Sequence, residues 1–279
     1  NTYDVPYLLE MMPSVVATSE GGTGIGNTSL RIRGTDMTRI NVTVNGIPLN
    51  DAESQGVYWV DLPDFASSVD NVQVQRGVGT STNGAGAFGA TVNFQTTTLD
   101  ADPYAGVDLL GGSYNTLKTT ARIGSGLIDK HFTFDGRYSQ IHSDGYIERG
   151  GSDHKSMFAN AAYHDEKNIV RFNAIYGEEH TAITWEGTPD FMMNVDRRYN
   201  PAGEYTNMFG VTSFYKDQKD NYWQTHYQLI TSHSFSDNLT VNATFHLTDG
   251  KGYYEEYKDD KNFNQYYGLP YLVAGNDTV

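Results

Sequence analysis

The side chains best suited to chemistry in this chain are those that bind small molecules. Residues 49–59 combine hydrogen-bonding groups with aromatic stacking surface, as small-molecule sites do, through Asn50, Asp51, Glu53, Gln55, Tyr58 and Trp59. The stretch 179–221 mixes aromatic, methionine and arginine side chains, including Trp185, Arg197 and Arg198, and connections of such length are usually functional. Two alternatives stay open: Tyr58 and Trp59 can pack inside the protein, and the aromatic side chains of 179–221 can pack within their own loop.

No known catalytic arrangement accompanies these side chains. The sequence has no GxSxG or HExxH pattern and no EF-hand loop. Its eight histidines are scattered without ligand spacing, and the absence of cysteine excludes disulfides, thiolate metal sites and a cysteine nucleophile. We therefore expect a protein that is not an enzyme, with no catalytic residues, no metal site and no cofactor.

A glycine-rich turn at residues 77–89 gives a weak match to a phosphate-binding loop. Residues 84–89 fit the pattern GxGxxG, which binds dinucleotides where a strand precedes it and a helix begins on it. Here Val92 and Phe94 alternate with polar residues, which predicts a strand after the turn. The turn is therefore interpreted as a connector between two strands within 69–96, and a nucleotide site is rejected.

From about residue 104 the chain alternates apolar and polar residues over seven segments. They lie near 104–111, 117–123, 132–139, 156–163, 169–177, 222–235 and 239–247. No apolar run exceeds four residues, so no transmembrane helix is predicted, whereas tilted strands of about ten residues can cross a bilayer. The period of two does not tell whether the apolar face points inward, as in a soluble barrel, or outward, as in a membrane barrel. Aromatic residues near segment ends, such as Tyr138 and Tyr176, favour the membrane barrel.

Four segments of the first 96 residues resemble, in order, the plug domain of TonB-dependent outer-membrane receptors. Residues 4–15 resemble its opening helix, 30–34 its IRG box, 42–48 its VxVDGxP hairpin and 69–96 its final arginine-glycine box. Asn45 stands where the family usually has Asp, and Ala90 replaces a glycine of the last box. Local signals agree, because Asp4 and Pro6 predict a helix start and Asn45-Gly46 predicts a hairpin with a type I′ turn.

The resemblance implies an α+β plug domain over residues 1–99, followed over 100–279 by antiparallel strands of a transmembrane β-barrel in the bacterial outer membrane. Plugged barrels have about 22 strands, so about seven strands would make an incomplete barrel. We therefore expect the chain to be an N-terminal piece of a longer receptor. Short connections near 126–130, 165–168 and 236–238 match periplasmic turns, and longer ones at 143–153, 179–221 and beyond 249 match extracellular loops.

The same resemblance implies roles for individual residues. Ligand contact is expected on the outward-facing apical loops of the plug, near 18–28 and 49–59, which adds Glu20 and Asn27 to the binding residues named above. Arg33 of the IRG box and Arg76 of the last box occupy the positions of arginines that hold the plug in the lumen by pairing with barrel glutamates. Those glutamates would lie on strands beyond this chain.

The implied function is the active uptake of a scarce nutrient. The last box resembles that of siderophore and cobalamin receptors, so a ferric siderophore or other iron chelate is the favoured ligand, with cobalamin, haem and oligosaccharides as alternatives. The expected partners are a TonB-type energy-coupling protein in the periplasm, the extracellular small-molecule ligand and outer-membrane lipid. A net charge of −15 argues against nucleic acid. The competing class is a surface-exposed β-rich binding or adhesion protein without transport.

Overall fold

A computed structural model describes residues 3–78, 88–96, 100–258, 264, 267–270, 273–274 and 277–278. Strands dominate the described residues, and no helix among them is long and apolar enough to cross a membrane. Most of the predicted glycine-rich turn, residues 79–87, lies outside the described residues.

The first part of the chain, the plug, is built around a four-stranded sheet. Its elements are α1 (Val5–Leu9), β1 (Val15–Ser19), β2 (Thr28–Ile32), β3 (Ile40–Val44), β4 (Ile47–Pro48), β5 (Val69–Arg76) and β6 (Ala90–Thr96), with 3-10 helices at Met37–Arg39, Trp59–Asp61 and Phe65–Ser68. The sheet has the order β4-β3-β6-β5, in which β3 and β6 are parallel and β5 and β6 antiparallel. Strands β1 and β2 pair separately. The prediction of two strands within 69–96 is confirmed.

Two local predictions for the plug can be compared with the structure. The β3–β4 hairpin turns at Asn45 and Gly46, whose φ angles of 55° and 82° are both positive, as a type I′ turn requires. Helix α1 begins after Asp4 as predicted, but the Asp4 side chain makes no capping bond. Its carboxylate instead accepts a hydrogen bond from the Thr28 hydroxyl at 3.2 Å, so it joins the helix start to β2.

The plug core lies between the sheet and the segment that follows β4. Strand β3 is buried along its whole length, as expected of an interior strand, and its parallel neighbour β6 contributes Val92 and Phe94. Trp59 and Phe65 pack edge-on against Phe94, with ring centres 6.0 and 5.5 Å away. Phe158 from the second part of the chain joins this cluster, so the two parts share one apolar core.

The second part, the wall, is an antiparallel sheet of seven consecutive strands. They are β7 (Tyr104–Gly111), β8 (Leu117–Gly124), β9 (Phe132–Ser143), β10 (Ser152–His164), β11 (Asn168–Ala182), β14 (Lys219–Ser236) and β15 (Leu239–Glu255). Between β11 and β14, strands β12 (Glu204–Thr206) and β13 (Thr212–Phe214) form a separate ribbon, and β16 (Val273–Ala274) pairs with β17 (Asp277–Thr278) near the end. The prediction of seven wall strands is confirmed.

The wall presents apolar side chains on the face away from the plug and polar side chains on the face toward it. Leu109, Ile123, Phe134 and Phe245 are between 52 % and 70 % exposed on the outer face. The side chains that face the plug are buried and mostly polar, and include Thr120, Ser139, Asn173 and Gln228. A soluble barrel has the opposite arrangement, so this alternation decides the question that the period of two left open.

The connections of the wall differ in length much as predicted. Residues 125–131, 165–167 and 237–238 are short turns, whereas 144–151 and 183–218 are longer and lie at the opposite end of the sheet, together with 112–116. The longest connection is shorter than the predicted 179–221, because β11 continues to Ala182 and β14 begins at Lys219. It also contains the β12–β13 ribbon, so it is not a structureless loop.

Candidate ligand cavity and plug anchor

Predicted binding residues from three separate segments line one cavity between the plug and the wall. This ligand cavity has a volume of about 960 Å³ and lies among the apical plug segments, strands β14 and β15, and the start of the 183–218 connection. The predicted residues that line it are Glu20, Asn27, Asn50, Asp51, Glu53, Tyr58, Trp59 and Trp185. A volume of this size matches the clefts that take small-molecule ligands.

Two side chains hold the apical segment 50–56 in shape. The Asn50 amide accepts a hydrogen bond from a backbone amide of β3 at 2.7 Å and donates to two carbonyls at 2.9 Å. Asp51 accepts hydrogen bonds from the backbone amides of Ser54 and Glu53, and these bonds hold the pKa of Asp51 below its usual range. The polar atoms of the Asn50 side chain are therefore engaged by the backbone and position the segment, whereas the Asp51 carboxylate lines the cavity and stays charged.

The aromatic side chains of the cavity differ in their exposure. Tyr58 is 47 % exposed and Trp185 is 41 % exposed, and Trp185 is held edge-on by Tyr254 at 5.9 Å between ring centres. Trp59 is only 3 % exposed because its 3-10 helix turns the indole into the plug core. The alternative of interior packing therefore applies to Trp59, and stacking surface is offered by Tyr58, Trp185 and the lumen-facing Tyr222.

The cavity lining carries carboxylates but no lysine or arginine among its described residues. Its acidic residues are Glu20, Asp51, Glu53, Asp61 and Asp220. Burial, reinforced by the charges of Asp220 and Asp51, raises the pKa of Asp61 to about 7. Carboxylates concentrated in a cleft with low-dielectric walls produce a negative potential, which favours cations over anions.

The wall side of the cavity is lined by residues that sequence reasoning did not select as binding residues. Gln224 and His226 project from β14, and His246 and Thr248 project from the paired strand β15. The His226 Nδ1 atom lies 3.0 Å from the Thr248 hydroxyl. The period of two does predict that these residues face the lumen, because they alternate with the apolar outward residues of the same strands. Nothing in that period distinguishes a residue that lines the cavity from any other lumen residue.

Three predicted binding residues lie elsewhere. Gln55 is exposed with a positive φ of 60° and does not line the cavity. Arg197 donates to the Met193 carbonyl at 3.3 Å within its own connection. Arg198 donates to the Tyr146 carbonyl at 2.7 Å and so ties the 183–218 connection to 144–151. In the structure the two arginines organise the connections at this end of the wall and do not reach the ligand cavity.

A buried polar cluster, the plug anchor, fastens the plug to the wall on the lumen side. The Asp64 carboxylate pairs with Lys118 on β8 and, at 2.8 Å, with Arg137 on β9, and all three side chains are at most 5 % exposed. Ser139 donates to Asp64 at 2.6 Å, and the Arg137 guanidinium donates to the Ser68 hydroxyl at 2.9 Å. Charge-assisted bonds in a low-dielectric interior are strong, so this cluster joins three elements at one point.

Sequence reasoning did not find the plug anchor. Its members come from a 3-10 turn and two wall strands, and no spacing pattern connects them. One trace was available: Lys118 is the first lysine of the chain, and it lies at an inward position of a strand. A cation at such a position needs a partner, because isolated buried charges are costly.

The arginines predicted to anchor the plug come together on its surface. Arg33 and Arg76 are both exposed, and a Cβ atom added to Gly77 would lie 3.2 Å from the Arg33 Nη1 atom. Arg76 donates to the Pro13 carbonyl at 2.9 Å. Within the described part of the chain neither arginine forms a salt bridge, so their pairing with barrel glutamates stays a prediction.

A second polar contact joins the plug hairpin to the wall. The Asn45 amide donates to Thr96 at 3.0 Å and to Gln228 of β14 at 2.9 Å. Gln228 also accepts from Asn173 at 3.2 Å, so the hairpin tip continues a row of amides across β11 and β14. The departure from Asp at this position matters here, because a carboxylate could not donate either bond of Asn45.

Similarity to known proteins agrees with this architecture. Residues 1–91 match the TonB-dependent Receptor Plug Domain family. A vitamin B12 transporter, BtuB, of Vibrio vulnificus (strain YJ016) is 22 % identical over 257 residues, which cover 80 % of this chain and 41 % of that protein. The chain thus spans about two fifths of the length of this curated relative.

Solved structures share the fold at low identity. The unliganded ferric citrate transporter FecA superposes with a TM-score of 0.69 at 21 % identity, covering 91 % of this chain and 39 % of that one. The ferric-catecholate import receptor Fiu of E. coli K12 gives a TM-score of 0.67 at 14 % identity, covering 90 % and 36 %. With the plug motifs and the outward-facing apolar side chains of the wall, the family match identifies residues 1–91 as a plug domain of the TonB-dependent receptors, followed by strands that share the barrel fold of the solved outer-membrane receptors.

Proposed function

We propose that the receptor carrying this chain imports a small-molecule nutrient across the outer membrane with energy from a TonB-type protein in the periplasm. The observation that carries the proposal is the ligand cavity, where two apical segments of the plug meet the wall and the 183–218 connection. A ligand bound there rests on the plug, so displacement of the plug by the energy-coupling protein would release it inward. No catalytic step is part of this proposal.

An iron chelate is the ligand we propose first. Relatives described as a ferric citrate transporter and a ferric-catecholate import receptor support this class by their shared fold, and a relative described as a vitamin B12 transporter supports a bulky chelated metal in general. The exposed aromatic surface of Tyr58 and Trp185 suits the organic shell of such a ligand.

Outer-membrane lipid is the proposed surroundings of the wall. Its outer face carries exposed apolar side chains on all seven wall strands, in line with a lipid-facing band.

The test is energy-dependent uptake of radioactive iron by cells that express the receptor as their single route for ferric chelates. We expect uptake that stops when the proton gradient is collapsed, while binding to the cell surface continues. Tyr58→Ala combined with Trp185→Ala should weaken binding, and Phe209→Ala, an exposed aromatic of the same connection that does not line the cavity, serves as the matched control. Binding without any energy-dependent uptake would contradict transport and favour the adhesion class.

A further inference from the structure

We propose that the ligand presents a cationic group, such as a protonated amine, to the plug side of the ligand cavity. This inference rests on the proposed uptake function and adds to it the sign of the charge on the imported ligand. A cationic ligand excludes ferric chelates that carry a net negative charge.

The first observation is that the cavity acids have no cationic partners among the described residues. Five carboxylates line the cavity, and no salt bridge to any of them occurs within the described ranges of the chain. Asp61 and Asp220 are partly buried and repel each other. Like charges held together in a cleft raise the free energy of the empty site, and a bound cation would relieve this repulsion.

The second observation is a buried ring nitrogen that has no partner. His226 lines the cavity and is 8 % exposed, and its Nε2 atom makes no hydrogen bond to any described residue. Its Nδ1 atom lies 3.0 Å from the Thr248 hydroxyl. When Nδ1 carries the proton and donates to Thr248, Nε2 is an acceptor, which is suited to an ammonium N–H donor. A buried polar atom without a partner is costly, so a ligand donor at this point would be stabilising.

The third observation is the aromatic surface beside the carboxylates. Tyr58 of the plug, Tyr222 of β14 and Trp185 of the 183–218 connection line the same cavity. Aromatic faces attract ammonium groups through the ring quadrupole, and the attraction strengthens as the cation loses water. Carboxylates with aromatic rings form a site for an organic cation, whereas an anion would meet five acidic side chains and no lysine or arginine of the described lining.

The test uses three ferric trishydroxamates that differ in one terminal group. Ferrioxamine B carries a free ammonium group, its N-acetyl derivative is neutral, and its N-succinyl derivative carries a carboxylate, while the iron centre is the same. Binding to the intact, purified receptor and uptake by cells are measured for each. We expect the ammonium compound to bind at least about tenfold more tightly than the succinyl compound, with the acetyl compound between them.

The matched variants locate the effect. Glu53→Gln with Asp220→Asn removes two cavity charges without changing shape, and should weaken the ammonium compound about tenfold while leaving the acetyl compound unchanged. Retained binding of the acetyl compound shows that the variant is folded. Asp190→Asn, an exposed acid of the 183–218 connection outside the cavity lining, should change none of the three.

The outcomes separate the two proposals. Equal binding of the three compounds, or equal loss for all three in the double variant, overturns the cationic ligand while iron uptake stands. Failure of all three to bind overturns a cationic ferric chelate as cargo, and the energy-dependent uptake of radioactive iron then decides separately whether any iron chelate is imported.

Discussion

Two groups of plug carboxylates meet opposite surroundings in the same molecule. Asp64 is buried against Lys118 and Arg137 of the wall, and every oxygen of its carboxylate has a partner. Asp51 and Asp61 instead line the ligand cavity, where the described lining supplies no lysine or arginine. The wall therefore neutralises the plug where the two must hold together and leaves charge uncompensated where a ligand is expected. Charges that serve cohesion therefore belong to a different cluster of side chains from charges available for recognition.

The largest expected effect comes from removing the anchor charge. Asp64→Ala leaves Lys118 and Arg137 buried without a counter-charge, so we expect about 3–5 kcal/mol lower stability. Because Asp64 has a positive φ of 51°, Asp64→Asn keeps a residue that tolerates this backbone and isolates the loss of charge. Thermal unfolding of the detergent-solubilised receptor measures both variants.

The comparison requires that cavity acids behave differently. Asp51→Asn should change the unfolding temperature much less than Asp64→Asn, because its oxygen can still accept the backbone bonds of its turn and no buried cation depends on it. Equal destabilisation by the two substitutions would contradict the division between an anchor and a recognition group.

A smaller effect is expected where the plug touches the wall by shape alone. A Cβ atom on Gly177 of β11 would lie 2.6 Å from the Pro63 ring and 2.7 Å from the Asp61 carbonyl. Gly177→Ala should therefore force the plug segment away from the wall and cost about 1–3 kcal/mol. Gly136→Ala is the control, since its nearest neighbour, a methyl group of Ile123, would be 3.7 Å away. If the two alanine variants unfold at the same temperature, the close approach at Gly177 is not a constraint.

The contact between the plug hairpin and the wall is made by uncharged hydrogen-bonding groups, and its contribution to stability can be tested. Asn45→Asp keeps a side chain that tolerates the positive φ but removes the donors to Thr96 and Gln228. Two lost hydrogen bonds and a charge placed beside Gln228 should cost about 1–2 kcal/mol, measured by thermal unfolding. Gln228→Ala should lower the stability of the Asn45→Asp variant less than it lowers the stability of the native chain, because the two side chains are coupled partners in a double-mutant cycle. Additive losses would mean that the two side chains do not cooperate.

Features that depend on neighbouring residues could be predicted from the sequence, whereas features that depend on contacts between distant elements could not. The seven wall strands and the Asn45-Gly46 turn followed from neighbouring residues, since a period of two and a positive-φ dipeptide are local properties. The plug anchor did not, because Asp64 meets Lys118 and Arg137 across separate elements. Trp59 was ambiguous for the same reason: a tryptophan beside a tyrosine fits a cavity or a core, and only the packing of its 3-10 helix against Phe94 places it in the core.

The smallest expected effect concerns pH and the cavity acids. Burial together with Asp220 and Asp51 raises the pKa of Asp61 to about 7, so its carboxyl group is mostly protonated at pH 6 and mostly ionised at pH 8. Ionisation adds a negative charge to the cavity, and a ligand ammonium group stays charged over this range. Binding of ferrioxamine B should therefore strengthen several-fold from pH 6 to pH 8, while binding of its neutral acetyl derivative stays constant. Asp61→Asn should abolish this difference.

The anchor acid provides the control. Because Asp64 is already paired with wall cations, Asp64→Asn should leave the pH dependence of binding intact in the fraction of the protein that folds. The pH dependence of binding is then a second property, besides stability, that distinguishes the recognition acids from the anchor acid.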